Sequence, residues 1–187
     1  MKETLVFWLA IEGIGLAAFP LTFALFSGLR DRGYAFGKVV GLLLVSYVLW
    51  ISATVGILPN SRGSIILILL VLAAVSTVIA GRRGQELRNF LSNGLEYILL
   101  VEGLFLLVFG FGVYLRSFAP DIIWGEKPFE LAFLNSVNRG EFFPPADPWL
   151  SGETISYYYF GYVQTVVLTK LSGLSTATSF YLMLCLT

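Results

Sequence analysis

Between Asp121 and Tyr162 the chain gathers the residue types that polar chemistry needs. Six of its twelve acids lie there (Asp121, Glu126, Glu130, Glu141, Asp147 and Glu153). Lys127, Arg139, Trp124, Trp149 and the consecutive Tyr157, Tyr158 and Tyr159 accompany them. A carboxylate can take the proton from an attacking hydroxyl, particularly where partial burial raises its pKa. Lys127 or Arg139 can neutralise a departing phosphate. Asp121, Glu126 and Glu130 are spaced so that two of them can converge on a divalent cation. With no histidine in the chain and only Cys185 as a thiol, such an ion would be hard and oxygen-liganded, magnesium or manganese.

Local signals say how this stretch is held. Pro128 suits a first helical position and Gly140 the residue just past a helix end, so a short helix is expected between them. Phe129, Phe133 and Val137 then form an apolar stripe that can lie on a membrane surface. Glu130 falls in the first turn, where the helix dipole by itself favours an acid. The proline-rich run from Phe142 to Trp149 excludes helix and central strand, and Asp147 before Pro148 can simply begin a turn. Trp124, Trp149 and the tyrosines also fit an interfacial aromatic belt, although three adjacent tyrosines cannot all face lipid.

The rest of the chain must position this stretch, and it reads as membrane. Of 187 residues 57% are hydrophobic and 13% charged, with zero formal net charge, which removes any global electrostatic case for nucleic acid. Apolar runs cover residues 4–26, 37–58, 64–80 and 95–115, each near the ~20 residues that cross a ~30 Å hydrocarbon core. A fifth span is expected over 158–171 and a partial sixth from 176, leaving 116–157 as one large loop. The first run is too long for a signal peptide and lacks a small-residue cleavage site, so it reads as a retained helix. The expectation is therefore a single all-α domain over 1–187, a polytopic helical bundle with a short surface-lying helix in its large loop.

Lysine and arginine set the orientation. Arg30, Arg32 and Lys38 follow the first span and Arg82, Arg83 and Arg88 the third, whereas Arg62 alone lies between the second and third. These loops read as cytoplasmic, the amino terminus and the acidic loop as extracytoplasmic, and Lys170 as near the inner end of the fifth span. Glu12 and Glu102 fall inside apolar spans, where an acid costs about 2.5–3.5 kcal/mol to insert. Neither has a basic residue in its own span at that depth. Each is expected to be neutral and bonded to hydroxyls such as Ser46, Tyr47, Ser52 or Thr54, or to line a water-filled path. The Gly13/Gly15 and Gly110/Gly112 pairs fit close helix packing better than phosphate binding.

The order of LRDRGYAFGKVVGLLLVSYVLW, the Glu102 span, EKPFELAFLNSV, FPPADPW and SYYYFGY resembles the YYY membrane protein family, along essentially the whole chain. Two positions depart from the family pattern: Phe129-Glu130 stands where Met-Asp is usual, and Tyr162 where histidine is frequent. The family is similar to the GT-C integral membrane glycosyltransferases. That resemblance implies a GT-C-like helical fold, catalytic acids on the first large external loop, and a sugar donor carried on polyprenyl phosphate in the plasma membrane. It also implies an amino-terminal portion of a longer enzyme. Catalytic roles would fall on Asp121, Glu126 and Glu130. Substrate contacts would fall on Lys127, Arg139, Asp147, Trp149, Tyr157, Tyr158 and Tyr159. Two other classes remain open: a transporter or lipid-binding subunit with Glu12 and Glu102 along its pathway, and a non-catalytic scaffold whose acidic loop recruits a partner.

Overall fold

The computed structural model describes residues 1–123 and 125–187; Trp124 lies outside the described residues. The chain is all-helical, and four helices are long and apolar enough to cross a membrane: α1 (Lys2–Leu25), α2 (Gly37–Thr54, entered through a 3-10 turn at Tyr34–Phe36), α3 (Arg62–Arg82) and α5 (Leu95–Ser117). These match the apolar runs read from the sequence. Between α3 and α5 sits α4 (Gly84–Asn93), and after α5 come α6 (Lys127–Arg139), α7 (Phe160–Ser172) and α8 (Thr176–Leu186).

The core forms where α1 lies against α2 and α3. Phe7, Ile11, Ile14 and Ala18 recur at helical spacing on α1 and meet Leu42, Val45, Leu49 and Ala53 on α2. Gly41 lets the two backbones approach: a β-carbon there would fall 2.9 Å from Ala18 Cβ and 3.0 Å from the Ile14 carbonyl oxygen. The Ser61 hydroxyl starts α3 by accepting from Ser64 N–H at 3.1 Å, the usual way to satisfy an orphan donor at a helix amino end. By contrast, α5 fully buries only Phe109, with Phe105 and Val113 partly covered, and leaves most of its apolar surface open.

Two ends of the bundle are distinguished by what covers them. At one, α4 packs under the α1–α2 connection: Phe90 meets Phe19, Phe23 and Tyr34, and Arg32 pairs with Glu86 at 3.3 Å. The segment from Gly81 to Asn93 reads as a charged loop in sequence. It is a helix because its few apolar residues, Phe90 among them, have an aromatic cluster to dock on. At the other end, α6 and the proline-rich loop seat on the α2–α3 turn. The Asn60 side chain donates to the Val137 and Gly140 carbonyls at 2.7 and 2.9 Å, and its backbone N–H donates to Glu141 O at 2.7 Å.

The run expected as a fifth span behaves differently. At 13 residues α7 is about 20 Å long, short of a ~30 Å core. Both its ends are tied to the α6 end of the bundle. Tyr159, just before it, accepts from Trp50 Nε1 at 3.0 Å, while Lys170 Nζ donates to Asn138 O at 2.9 Å and Arg62 donates to Leu171 O at 3.3 Å. Lys170 therefore sits with α6, not at the opposite end. The next helix to enter the bundle is α8, which starts beside α6 (Thr176 Oγ1 donates to Asn135 Oδ1, 2.6 Å) and runs back antiparallel to α5.

Candidate functional site

α6 starts and stops as its sequence signals, with Pro128 in its first turn and Gly140 at its end. Its apolar stripe does not rest on a membrane surface. Phe133, Leu134 and Val137 are buried against protein, chiefly α7, and only Phe129 stays open. Around that stripe an aromatic platform assembles. Phe129 and Trp149 stack at 5.8 Å, Phe133 and Tyr157 at 5.8 Å, and Phe133 and Tyr162 at 6.1 Å, all within 25° of parallel. Phe129 meets Phe133 edge-on at 4.4 Å. Such offset and edge contacts are the favoured aromatic geometries.

The acids stand beside this platform. Glu126 is the residue at the amino end of α6 and Glu130 lies one turn on. Burial first, and then the negative charge of Glu130 and more weakly Glu126, push the Tyr162 phenol up to about 12. Glu126 and Asp121 are exposed, Glu130 and Lys127 half-buried. Among the described residues no group of three or more acids or thiols gathers as a cation's ligands.

The expected substrate contacts divide by role. Asp147 Oδ1 accepts from the backbone N–H groups of Trp149 and Leu150 at 2.8 and 3.1 Å, so it fixes the turn that presents Trp149. Trp149 and Tyr158 are exposed, Tyr157 is open on one side, and Tyr159 turns inward to Trp50 and Phe143. The three tyrosines precede α7 and are not part of a helix: Tyr157 and Tyr158 pack ring to ring at 4.5 Å, and Tyr159 alone turns the other way. Arg139 lies on another face of α6, lining an open groove of about 520 Å³ with Asn135, Ser136 and Asp147.

A second constellation lies in the bundle toward α4. Lys38, the second residue of α2, pairs with Glu12 Oε1 of α1 at 3.0 Å and with Glu102 Oε2 of α5, while Tyr34 donates to Glu102 Oε1 at 2.8 Å. The hydroxyls expected on α2, Ser46, Tyr47, Ser52 and Thr54, are not the partners: both acids meet Lys38 at the start of that helix, and Glu102 also accepts from the Tyr34 hydroxyl just before it. Gly15, one turn from Glu12, makes the room, since a β-carbon there would fall 2.7 Å from Lys38 Cγ. Lys38 also sits 4.2 Å over the Phe105 ring. The pocket these residues enclose is about 30 Å³, the order of one water. Lys38 and Tyr34 were hidden in sequence because they look like parts of a basic loop. The usable signal was a lysine at the second position of a helix, whose long stem can reach into the apolar layer. The packing expected of the glycine pairs holds at Gly15 and at Gly112, which lies against Cys185 of α8.

A family model described as "Uncharacterized membrane protein (DUF2298)" matches residues 44–187, which includes the α6 platform and Glu102. Comparison with curated proteins and with solved structures found no match.

Proposed function

The chain belongs to the DUF2298 family of uncharacterized membrane proteins, and on that premise we propose that it is an integral membrane glycosyltransferase of GT-C type. In this reading it takes a sugar from a polyprenyl-phosphate donor at the plasma membrane, on the extracytoplasmic α6 end of the bundle. The observation that carries the reading is the aromatic platform of Trp149, Phe129, Phe133 and Tyr157 with Glu126 and Glu130 at its edge. Flat rings cover the apolar faces of a pyranose, and flanking carboxylates accept from its hydroxyls.

Each residue then has a part in the chemistry. Glu130, with Glu126 beside it, takes the proton of the acceptor hydroxyl as that oxygen bonds to the anomeric carbon. The bond from that carbon to the phosphate oxygen breaks, and the polyprenyl phosphate leaves with the electron pair. In this reading Lys127, next to Glu126, offsets the charge on the leaving group, and Arg139, on another face of α6, meets only a part of the acceptor that extends into its groove. Asp121 stands on the approach to α6, while Trp149, Tyr157 and Tyr158 hold the sugar. Tyr159 anchors that segment to α2, and Asp147 shapes the turn under Trp149.

The test uses the full chain in detergent micelles with a radiolabelled polyprenyl-phosphate sugar. Glu126→Gln and Glu130→Gln should lower transfer by about 10²–10⁴, the usual loss of a general base, with folded yield unchanged. Turnover near the unsubstituted level in both would remove these acids from the reaction. The transporter reading has less support, since Glu12 and Glu102 are engaged by Lys38 around a pocket of only about 30 Å³.

A further inference from the structure

The open groove between α6 and the proline-rich loop holds a cation and an anion that do not meet. Its volume of about 520 Å³ falls in the ~300–1,000 Å³ range of small-molecule sites. Arg139 and Asp147 both line it, yet the ion pairs among the described residues join Arg32 to Glu86 and Lys38 to Glu12 and Glu102. Asp147 commits only Oδ1, to the Trp149 and Leu150 N–H groups, which leaves Oδ2 to accept. Asn135 commits its Oδ1 to the Thr176 hydroxyl at 2.6 Å, which leaves its amide N–H groups to donate. Asn135 and Arg139 are one helical turn apart and so share a face of α6. The walls are also fastened in place. The Ser136 hydroxyl donates to the Ala146 carbonyl, and the loop pairs with the chain after it through Asp147 N–H to Glu153 O and Ile155 N–H to Pro145 O, both at 2.9 Å.

Donors on the helix wall, an acceptor on the loop wall and charges that cancel select a ligand without net charge. Sugar hydroxyls meet that demand, because each both donates and accepts. A carboxylate or phosphate would gain Arg139 only by facing Asp147. Position says which sugar. Pro148 lines the groove, and the next residue, Trp149, stacks on Phe129 in the platform, so a single turn walls both. We propose that the groove binds a neutral oligosaccharide and that this oligosaccharide is the acceptor, its part remote from the reacting hydroxyl lying between Arg139, Asn135 and Asp147. Along the axis of α6, Asn135 and Arg139 lie about 8 and 14 Å beyond Glu130, farther than one sugar ring at the platform extends. The acceptor role rests on the transfer reading above, whereas binding of the glycan in the groove is measurable without transfer.

The test passes the full chain, fluorescently labelled in detergent, over an array of neutral monosaccharides, neutral oligosaccharides, uronate-containing oligosaccharides and short peptides with free termini. Neutral oligosaccharides should be retained over the other three. Arg139→Gln should weaken that retention about tenfold or more, as expected for loss of a charged hydrogen bond. Asp147→Asn, which keeps an oxygen for the Trp149 turn, should weaken it as well. Equal retention of monosaccharides and oligosaccharides, or unchanged retention in Arg139→Gln, would overturn the groove site. If Arg139→Gln does not fold, unchanged retention in Asp147→Asn overturns it instead. Preference for uronates or for the peptides would end the neutral-glycan assignment. Arg139-dependent retention with no sugar transferred to the retained glycan would sink the transfer reaction and leave the groove a glycan-binding site. Transfer that is lost in Glu130→Gln, with no neutral oligosaccharide retained, would sink the groove and leave the reaction.

Discussion

Lys38 shows how one side chain can decide the state of two others. Its ammonium is 14% exposed and serves carboxylates that are 16% and 26% exposed, so all three charges are largely out of water. Removing one partner of a buried pair strands the rest, which typically costs about 3–5 kcal/mol. Lys38→Met should therefore lower the thermal midpoint of the chain in detergent sharply, and far more than Glu102→Gln, which leaves the pair with Glu12 intact. Adding Glu12→Gln and Glu102→Gln to Lys38→Met should recover much of that loss, because no charge is then left unpaired. An unchanged midpoint for Lys38→Met would mean the cluster does not hold α1, α2 and α5 together. Glu130 admits a similar separation: Glu130→Asp keeps the carboxylate and should retain most transfer, where Glu130→Gln should not. Equal activity of the two would reduce Glu130 to support for the helix end.

At the scale of elements, the α6 end is built by one buried asparagine. Asn60 is 4% exposed, and its amide spans the last turn of α6 and the start of the proline-rich loop. Asn60→Ala leaves the Val137 and Gly140 carbonyls without these donors, a loss of about 1–3 kcal/mol. Hydrogen exchange should then rise across residues 127–139 while α1 and α2 stay protected. Uniform protection in the variant would show that α6 is held by its apolar face alone. That face is also why the α6 stripe turns inward: α7 offers a dry partner for Phe133 and Val137.

For the whole molecule, the placement of α7 determines how many times the chain crosses before α8. A cysteine at Gln85 probes the α4 end, one at Ser151 the α6 end, and one at Ala177 the entry to α8; all three positions are exposed. In a background lacking Cys185, an impermeant thiol reagent on intact cells should label Ser151→Cys and Ala177→Cys alike and leave Gln85→Cys unlabelled. Labelling of Ser151→Cys without Ala177→Cys would restore α7 as a crossing helix. Labelling of Gln85→Cys alone would reverse the orientation and move the proposed transfer reaction to the cytoplasmic side.

Four membrane helices were legible from sequence, since an apolar run of about 20 residues has one stable outcome in a bilayer. The bounds of α6 were legible too, because proline and glycine act locally on the backbone. What tertiary structure decided were the partners. Whether 158–171 crosses depends on bonds from Trp50, Arg62 and Asn138, each distant in sequence. The pairing of Glu12 and Glu102 depends on one lysine that enters from a third helix through space left by Gly15. Local propensity acts over a few residues, so it reads helices and their ends. Charge pairing and burial act through space, and only the packed chain settles which carboxylate meets which cation.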